Sequence, residues 1–459
     1  ALLYAIPARE IPENSLGLDE CVKIAVENSV PLDVAHKQIK LAEIRLWESI
    51  RKLGPNVKGK WEESGGKVIG RGYEGRKFMM EVSQPFFYGG ELFFTVSQAK
   101  VNLEIVKNDL FRVRNGIILK VEKSYYSLDK AEKFFGVQQG LNQKAVQLND
   151  AITKGYDMGV VNKLEFLNVA SKYSQINFQL VSADEDIALA RLMLGQAMNT
   201  EEDVYIIPVE VPMIDNGISL ADCYTLAYTN RPEIKINYLM TEYYLYENKI
   251  KKAHLFPKVD GMGSYGYSAE DFSDPLDRPG RNERLMKPQW YIGLKATMPF
   301  FGSTLGYSVA KESWQPVVSA YQGTKSLTNT MTFSILDDLK YYSDVEEAQI
   351  GLARAQEEYN KVKQEITLEV KENFFKYKKA IMQMKVAKNK VNYQRTQVSF
   401  LDLKREMNEG TASSVLEEMI KLGEEEFSRL QAVADYYISI KSLNKAIGII
   451  GYFDRKDNG

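Results

Sequence analysis

Acidic residues stand just beyond two glycine-containing breaks in the chain. "YDMGVVNKLEFLNV" spans 156–169 and contains Glu165; "MNEGTASSVLEEMI" spans 407–420 and contains Glu417 and Glu418. In a symmetric assembly one inward carboxylate becomes a ring, which concentrates cations and narrows a passage. On a solvated helix face the same residues do neither, and on the residues alone both readings stand. Other chemistry is sparse. The two cysteines, Cys21 and Cys223, have neither a C-x-x-C nor a His-flanked spacing, so a zinc site is excluded and they read as small buried residues. His36 and His254 are isolated. No nucleophile elbow, phosphate loop or metal-spaced cluster is present, so neither an enzyme nor a cofactor is expected.

The charge balance points the same way. With 59 basic and 61 acidic residues the formal charge is −2, which argues against nucleic acid as a partner. No apolar run reaches the roughly 18 residues of a transmembrane helix. Any contact with a membrane must use strands or the surface. The opening Ala1-Leu2-Leu3-Tyr4-Ala5 fits a chain whose export signal has been removed, and without a cysteine at position 1 no lipoprotein anchor is expected.

The elements that hold the breaks come in duplicate. "LDECVKIAVENSVP" (18–31) aligns with "LADCYTLAYTNRP" (220–232), pairing Leu18 with Leu220, Cys21 with Cys223, Ala25 with Ala227 and Asn28 with Asn230. Pro55 answers Pro257, Pro85 of "SQPFFYGG" answers Pro299 of "TMPFFGS", and Gly159 answers Gly410. The growing offset places two insertions in the second copy, near 268–289 and 307–342. The domain reading is an N-terminal tail (1–14), repeat 1 (15–200), a linker (201–217), repeat 2 (218–451) and a C-terminal tail (452–459).

Each copy predicts a capped amphipathic helix (16–53 and 219–255), a β-hairpin (about 56–87 and 258–301), a very long proline-free helix (90–154 and 343–408), a tip (154–162 and 408–413) and a shorter helix (163–198 and 414–449). Trp290, Ile292, Leu294, Ala296 and Met298 alternate with polar neighbours, as do Phe78, Met80 and Val82; Trp61, Tyr265 and Tyr267 belong to the partner strands. The aromatic residues fit either a membrane girdle or ordinary strand packing. A helix of some 65 residues spans roughly 97 Å at about 1.5 Å per residue, far more than a globular core uses, so the chain reads as a stave. Seams stepping from Leu164 and from Leu416 mark the faces expected to be buried. Four strands per chain cannot close a barrel, whose smallest workable size is about eight, so several chains must combine.

On these residues the chain resembles the TolC-type outer-membrane efflux protein family. The likeness is carried by "LDECVKIAVENSVPL" and "LADCYTLAYTNRPEI", by Pro55 and Pro257, by the corners "VSQPFFYGGELFFTVSQAK" and "ATMPFFG", and by the two tips, in duplicated order over 15–451. It implies a mainly α chain with a membrane β-barrel: a homotrimer with four strands per chain in a 12-stranded barrel, continued by a long α-helical periplasmic tunnel. It implies an exit duct of a tripartite efflux or type I secretion system in the outer membrane, working with a periplasmic adaptor and, through it, an inner-membrane pump. The lipid-facing barrel residues would be Trp61, Phe78, Met80, Val82, Tyr265, Trp290, Ile292 and Leu294. Met158, Gly159, Val160, Leu164, Gly410 and Thr411 would dock the adaptor, in addition to the structural role of the two glycines, both expected to reverse the chain through positive φ, with Asn162 in the first tip and Ser413 and Ser414 in the second expected to cap the returning helix. Glu165, Glu417 and Glu418 would form the acidic ring, although counting from Gly410 puts Leu416 where the family's acidic residue usually falls. The competing reading is a periplasmic coiled-coil adaptor or scaffold without a barrel.

Overall fold

The computed structural model describes residues 15–68, 71–201, 204–209, 218–273, 286–314, 324–407 and 409–452. Both chain tails, much of the 201–217 linker and most of the 268–289 insertion lie outside the described residues. The duplication appears directly in element lengths. Helices α1 (Leu18–Glu27) and α5 (Leu220–Asn230) have 10 and 11 residues, and α2 (Val30–Arg51) and α6 (Pro232–Ala253) have 22 each. Helices α3 (Glu91–Asp157) and α7 (Lys340–Glu406) have 67 each, and α4 (Lys163–Met198) and α8 (Ala412–Ile447) have 36 each. The opening helix expected over 16–53 is in fact two, and so is its counterpart. Its second piece restarts at Val30-Pro31 in one copy and at Pro232 in the other, because proline lacks the N–H that a continuous helix needs from it.

The chain divides into two units, one comprising Ala1–His36, Asn108–Ile234 and Lys361–Gly459, the other Lys37–Lys107 and Lys235–Asn360. In the first, α8 supplies the largest share of a core in which Val415, Leu416 and Met419 meet Leu141 and Leu148 of α3, Val169 and Ile176 of α4, and Val391 and Val398 of α7. Each large apolar side chain so buried contributes about 1.5–3 kcal/mol. Cys21 and Cys223 are fully buried free thiols at matching places in α1 and α5, and burial pushes both thiols up to about 11.

The second unit holds a six-stranded antiparallel meander in chain order: β1 (Asn56–Val68), β2 (Arg71–Tyr88), β3 (Lys258–Ser273), β4 (Lys287–Phe300), β5 (Ser303–Trp314) and β6 (Thr324–Ser334). The strand count of four is therefore corrected to six, since the 307–342 insertion supplies most of a third hairpin. The cause lies in two similar corners. After Pro85-Phe86-Phe87-Tyr88, Gly89 and Gly90 turn the chain into α3. After Pro299-Phe300, only Phe301 and Gly302 intervene, both with positive φ (46° and 72°), the requirement of a two-residue hairpin turn, and the chain returns as β5.

Candidate functional site

Two surfaces carry the features expected of a function: one face of the sheet and the two helix tips. On the sheet, residues paired directly across antiparallel strands share a face. Trp61 pairs with Phe78, Phe78 with Tyr267, Met80 with Tyr265, Tyr265 with Trp290, Val82 with Gly263, Gly263 with Ile292, and Gly261 with Leu294. The eight residues expected to meet lipid thus lie on one face. The third hairpin extends it, with Val309 opposite Leu294, Tyr307 opposite Met331 and Leu305 opposite Phe333. Seven of the eight are exposed and Trp290 is half-buried. The opposite face is polar: Lys58, Lys60, Glu62, Lys77, Glu81, Lys295 and Glu312, with the Ser and Thr residues of β6. No described helix is long and apolar enough to cross a membrane.

The tips are built differently from one another. In the first, Gly159 has φ 76°, its N–H donates to the Tyr156 carbonyl (2.9 Å), and Asn162 accepts from the Glu165 N–H (2.9 Å) to cap α4. Met158 and Val160 flank the glycine and are 73% and 80% exposed. In the second tip Gly410 does not need positive φ, contrary to the expectation that both glycines would. Its requirement is space, because a Cβ there would stand 3.2 Å from the backbone nitrogen of Arg405. The cap of α8 is the Thr411 hydroxyl, which accepts from the Ser414 N–H (3.3 Å), and not Ser413 or Ser414.

Leu164 is also corrected: it is 71% exposed, so the seam stepped from it is the open face of α4. Leu167, Phe178, Val181 and Leu192 are exposed with it, while Val169, Ile176, Ala183, Ile187 and Leu194 are buried. The seam from Leu416 is buried as expected, and Glu426 within it does not open to water. It is 2% exposed and is paired with Arg395 and with Arg429 (2.7 Å), which compensates the buried charge.

All three acidic candidates are tied down within the chain. The Glu165 carboxylate accepts from the Ser413 N–H and hydroxyl, both at 2.9 Å, and so sits on the N-terminus of α8 where the helix dipole favours an anion. Glu417 accepts from Lys172 of α4 (2.9 Å), which also donates to the Ser413 carbonyl (3.0 Å). Hydrogen bonding to Lys172 holds Glu417 below the usual carboxylate range. Glu418 is held low chiefly by its hydrogen bond to Lys421 (2.8 Å), with Gln394 as a further donor. Farther along, Lys144 of α3 pairs with Asp402 of α7. Burial would raise Asp402, but Lys144 and Arg405 outweigh it and the carboxyl lies low. Sequence reasoning missed Lys172, Lys144, Asp402 and Arg395, because their partners lie in other helices and no local pattern announces them.

Residues 31–200 match the outer membrane efflux protein family. No curated protein sequence matches the chain. Among solved structures the chain is similar to the CmeC outer membrane channel of Campylobacter jejuni, at 14% identity and TM-score 0.74, covering 94% of this chain and 85% of that one. It is similar to the outer membrane protein VceC of Vibrio cholerae, at 12% identity and TM-score 0.74, covering 94% and 96%. The open state of the MtrE outer membrane channel of Neisseria gonorrhoeae is also similar, at 13% identity and TM-score 0.70, covering 94% and 89%.

Proposed function

We infer that this chain, which resembles the TolC-type outer-membrane efflux proteins in its matched first repeat and in its fold, is the outer-membrane exit duct of a tripartite efflux or type I secretion assembly. The observation that carries the reading is the exposed apolar face running across all six strands, backed by a polar one. Water penalises such a face and hydrocarbon accepts it. A periplasmic scaffold has no use for it. The sheet is placed in the outer membrane of a Gram-negative type envelope and the helices in the periplasm.

A second set of exposed apolar residues supports a homo-oligomer, taken as a trimer. Leu368, Phe375, Met382, Tyr393, Phe400 and Leu403 of α7 recur at near-heptad spacing and remain exposed, as does the α4 seam. A neighbouring chain that laid one stripe against the other would bury both.

Met158, Gly159, Val160 and Leu164, with Gly410 and Thr411, are the proposed docking surface for a periplasmic adaptor linked to an inner-membrane pump. Glu417, the half-exposed member of the acidic set, is the residue proposed to border the passage near the tips. In a cell that exports a dye through such an assembly, loss of this chain should raise dye retention. Met158→Asp with Val160→Asp should do the same while the purified protein still conducts in a planar bilayer. Export unaffected by loss of the chain would contradict the duct. Absence of conductance from wild-type protein would contradict the barrel.

A further inference from the structure

The apolar face of the third hairpin ends in lysine. Counting away from the helix end of the sheet, β5 places Leu305, Tyr307 and Val309 on that face and then Lys311. β6 places Phe333, Met331, Asn329 and Leu327 there and then Lys325. Lys311 stands opposite Ile292 and Leu327, and Lys325 stands opposite Ser313, itself opposite Trp290. Both lysines are exposed. They are diagonal neighbours on adjacent strands, about 7–8 Å apart. Among the described residues of β4, β5 and β6 the one carboxylate is Glu312, which lies on the opposite face and accepts from the Ser326 hydroxyl (2.8 Å). Two neighbouring cations on an apolar face thus have no acid of their own hairpin to answer them.

We propose that Lys311 and Lys325 bind the phosphates of a phosphorylated glycolipid in the outer leaflet, whose acyl chains lie on the apolar residues of the same hairpin. The proposal rests on the duct reading, which puts the sheet in hydrocarbon and the helices in the periplasm, and adds a lipid of defined headgroup to it. Depth supports the assignment. Ser303 to Lys311 is eight residues (311 − 303) and Ser334 to Lys325 is nine (334 − 325), about 26–30 Å along the strands. A strand tilt of about 40° turns this into about 20–23 Å along the membrane normal, against an apolar band of about 25 Å. The four-carbon stems carry the ammonium groups over the remaining distance to the headgroups. Trp290, ten residues from the end of β4 (300 − 290), reaches a similar level half-buried, as interfacial indoles do.

The chemistry selects the occupant. A free anion gains nothing from the apolar residues below the lysines, whereas a lipid covers them with its chains and presents its anion at their upper edge. A zwitterionic headgroup brings its own amine, which two ammonium groups repel; a headgroup with phosphates and no amine answers both. Lysine binds phosphate as a point charge without fixed geometry, so a pair on flexible stems accommodates two phosphates on one sugar headgroup. The Ser313 hydroxyl, on the same face and directly opposite Lys325, is a further donor at this level.

The test is native mass spectrometry of the full chain, purified in detergent and titrated separately with diphosphoryl lipid A, with the same lipid after phosphatase treatment, and with phosphatidylethanolamine. Wild-type protein should retain the diphosphoryl form at about tenfold lower concentration than either of the others, the scale of two lysines at a membrane surface. Lys311→Gln with Lys325→Gln should abolish that preference. Lys311→Arg with Lys325→Arg should keep it, and so should Lys295→Gln on the polar face. Excess inorganic phosphate should not displace the lipid. Equal retention of the three lipids by wild-type protein, a preference that survives the double glutamine variant, or displacement by inorganic phosphate would overturn the proposal and leave the duct standing. If instead the wild-type chain is recovered wholly in the soluble fraction and takes up no detergent, the duct reading itself fails, and the lipid site with it.

Discussion

Helices α4 and α8 occupy the same place in the two repeats and have the same length of 36 residues, yet they are buried very differently. In α8 even charged residues are enclosed and paired, Glu426 with two arginines and Lys441 with Glu122 at 3.1 Å. In α4 one face packs and the other leaves Leu164, Leu167, Phe178, Val181 and Leu192 open. Duplication supplied two equivalent hairpins, and their divergence enclosed one within the chain and left the other with an open apolar face. A similar divergence separates the two corners, where Gly89-Gly90 leads to a helix and Phe301-Gly302 to a third hairpin.

The sharpest way to break this comparison is to truncate matched positions. Leu416→Ala in α8 should cost about 2–5 kcal/mol, because its side chain is fully buried at the meeting of four helices. The loss would be read as a lower thermal midpoint by circular dichroism. Leu164→Ala should leave that midpoint nearly unchanged. Phe178→Glu on the open face of α4 should spare helix content but weaken the oligomer about tenfold or more by native mass measurement. If it unfolds the chain instead, the open face is part of the core.

The tips permit a finer comparison. Gly159→Val forces a β-branched residue to positive φ and should cost about 1–2 kcal/mol. Gly410→Ala should cost less, because it crowds the last turn of α7 without demanding a left-handed backbone. The smallest expected effect is that of pH on the ties between helices. Glu417 and Asp402 have lowered pKa values, so their contribution is present above the unfolded-state values (about 4) and is lost as pH falls through the folded ones. The thermal midpoint should therefore fall in acid, below about pH 4, and Lys172→Ala or Lys144→Ala should flatten that fall.

Much of the helical part was legible because apolar periodicity and the paired prolines recur in register; α4 was delimited at its observed ends. The third hairpin was not legible. "PFFYGG" and "PFFGS" differ by a residue or two, and only the backbone angles separate a helix entry from a hairpin turn. The Leu164 seam misled for a related reason. A heptad pattern says that a face will be covered, not whether the same chain covers it. Links such as Glu165 to Ser413 join residues 248 apart and depend on the fold already being formed.

The central claim is that the sheet enters a membrane and the helices continue from it as a duct. Electron imaging of the purified chain in detergent, with its mass, tests this most directly. The account predicts a threefold hollow particle with a detergent belt at one end and a tube about 100 Å long beyond it, the span of a 67-residue helix. A particle without a belt, or a belt around a particle with no lumen, would contradict it.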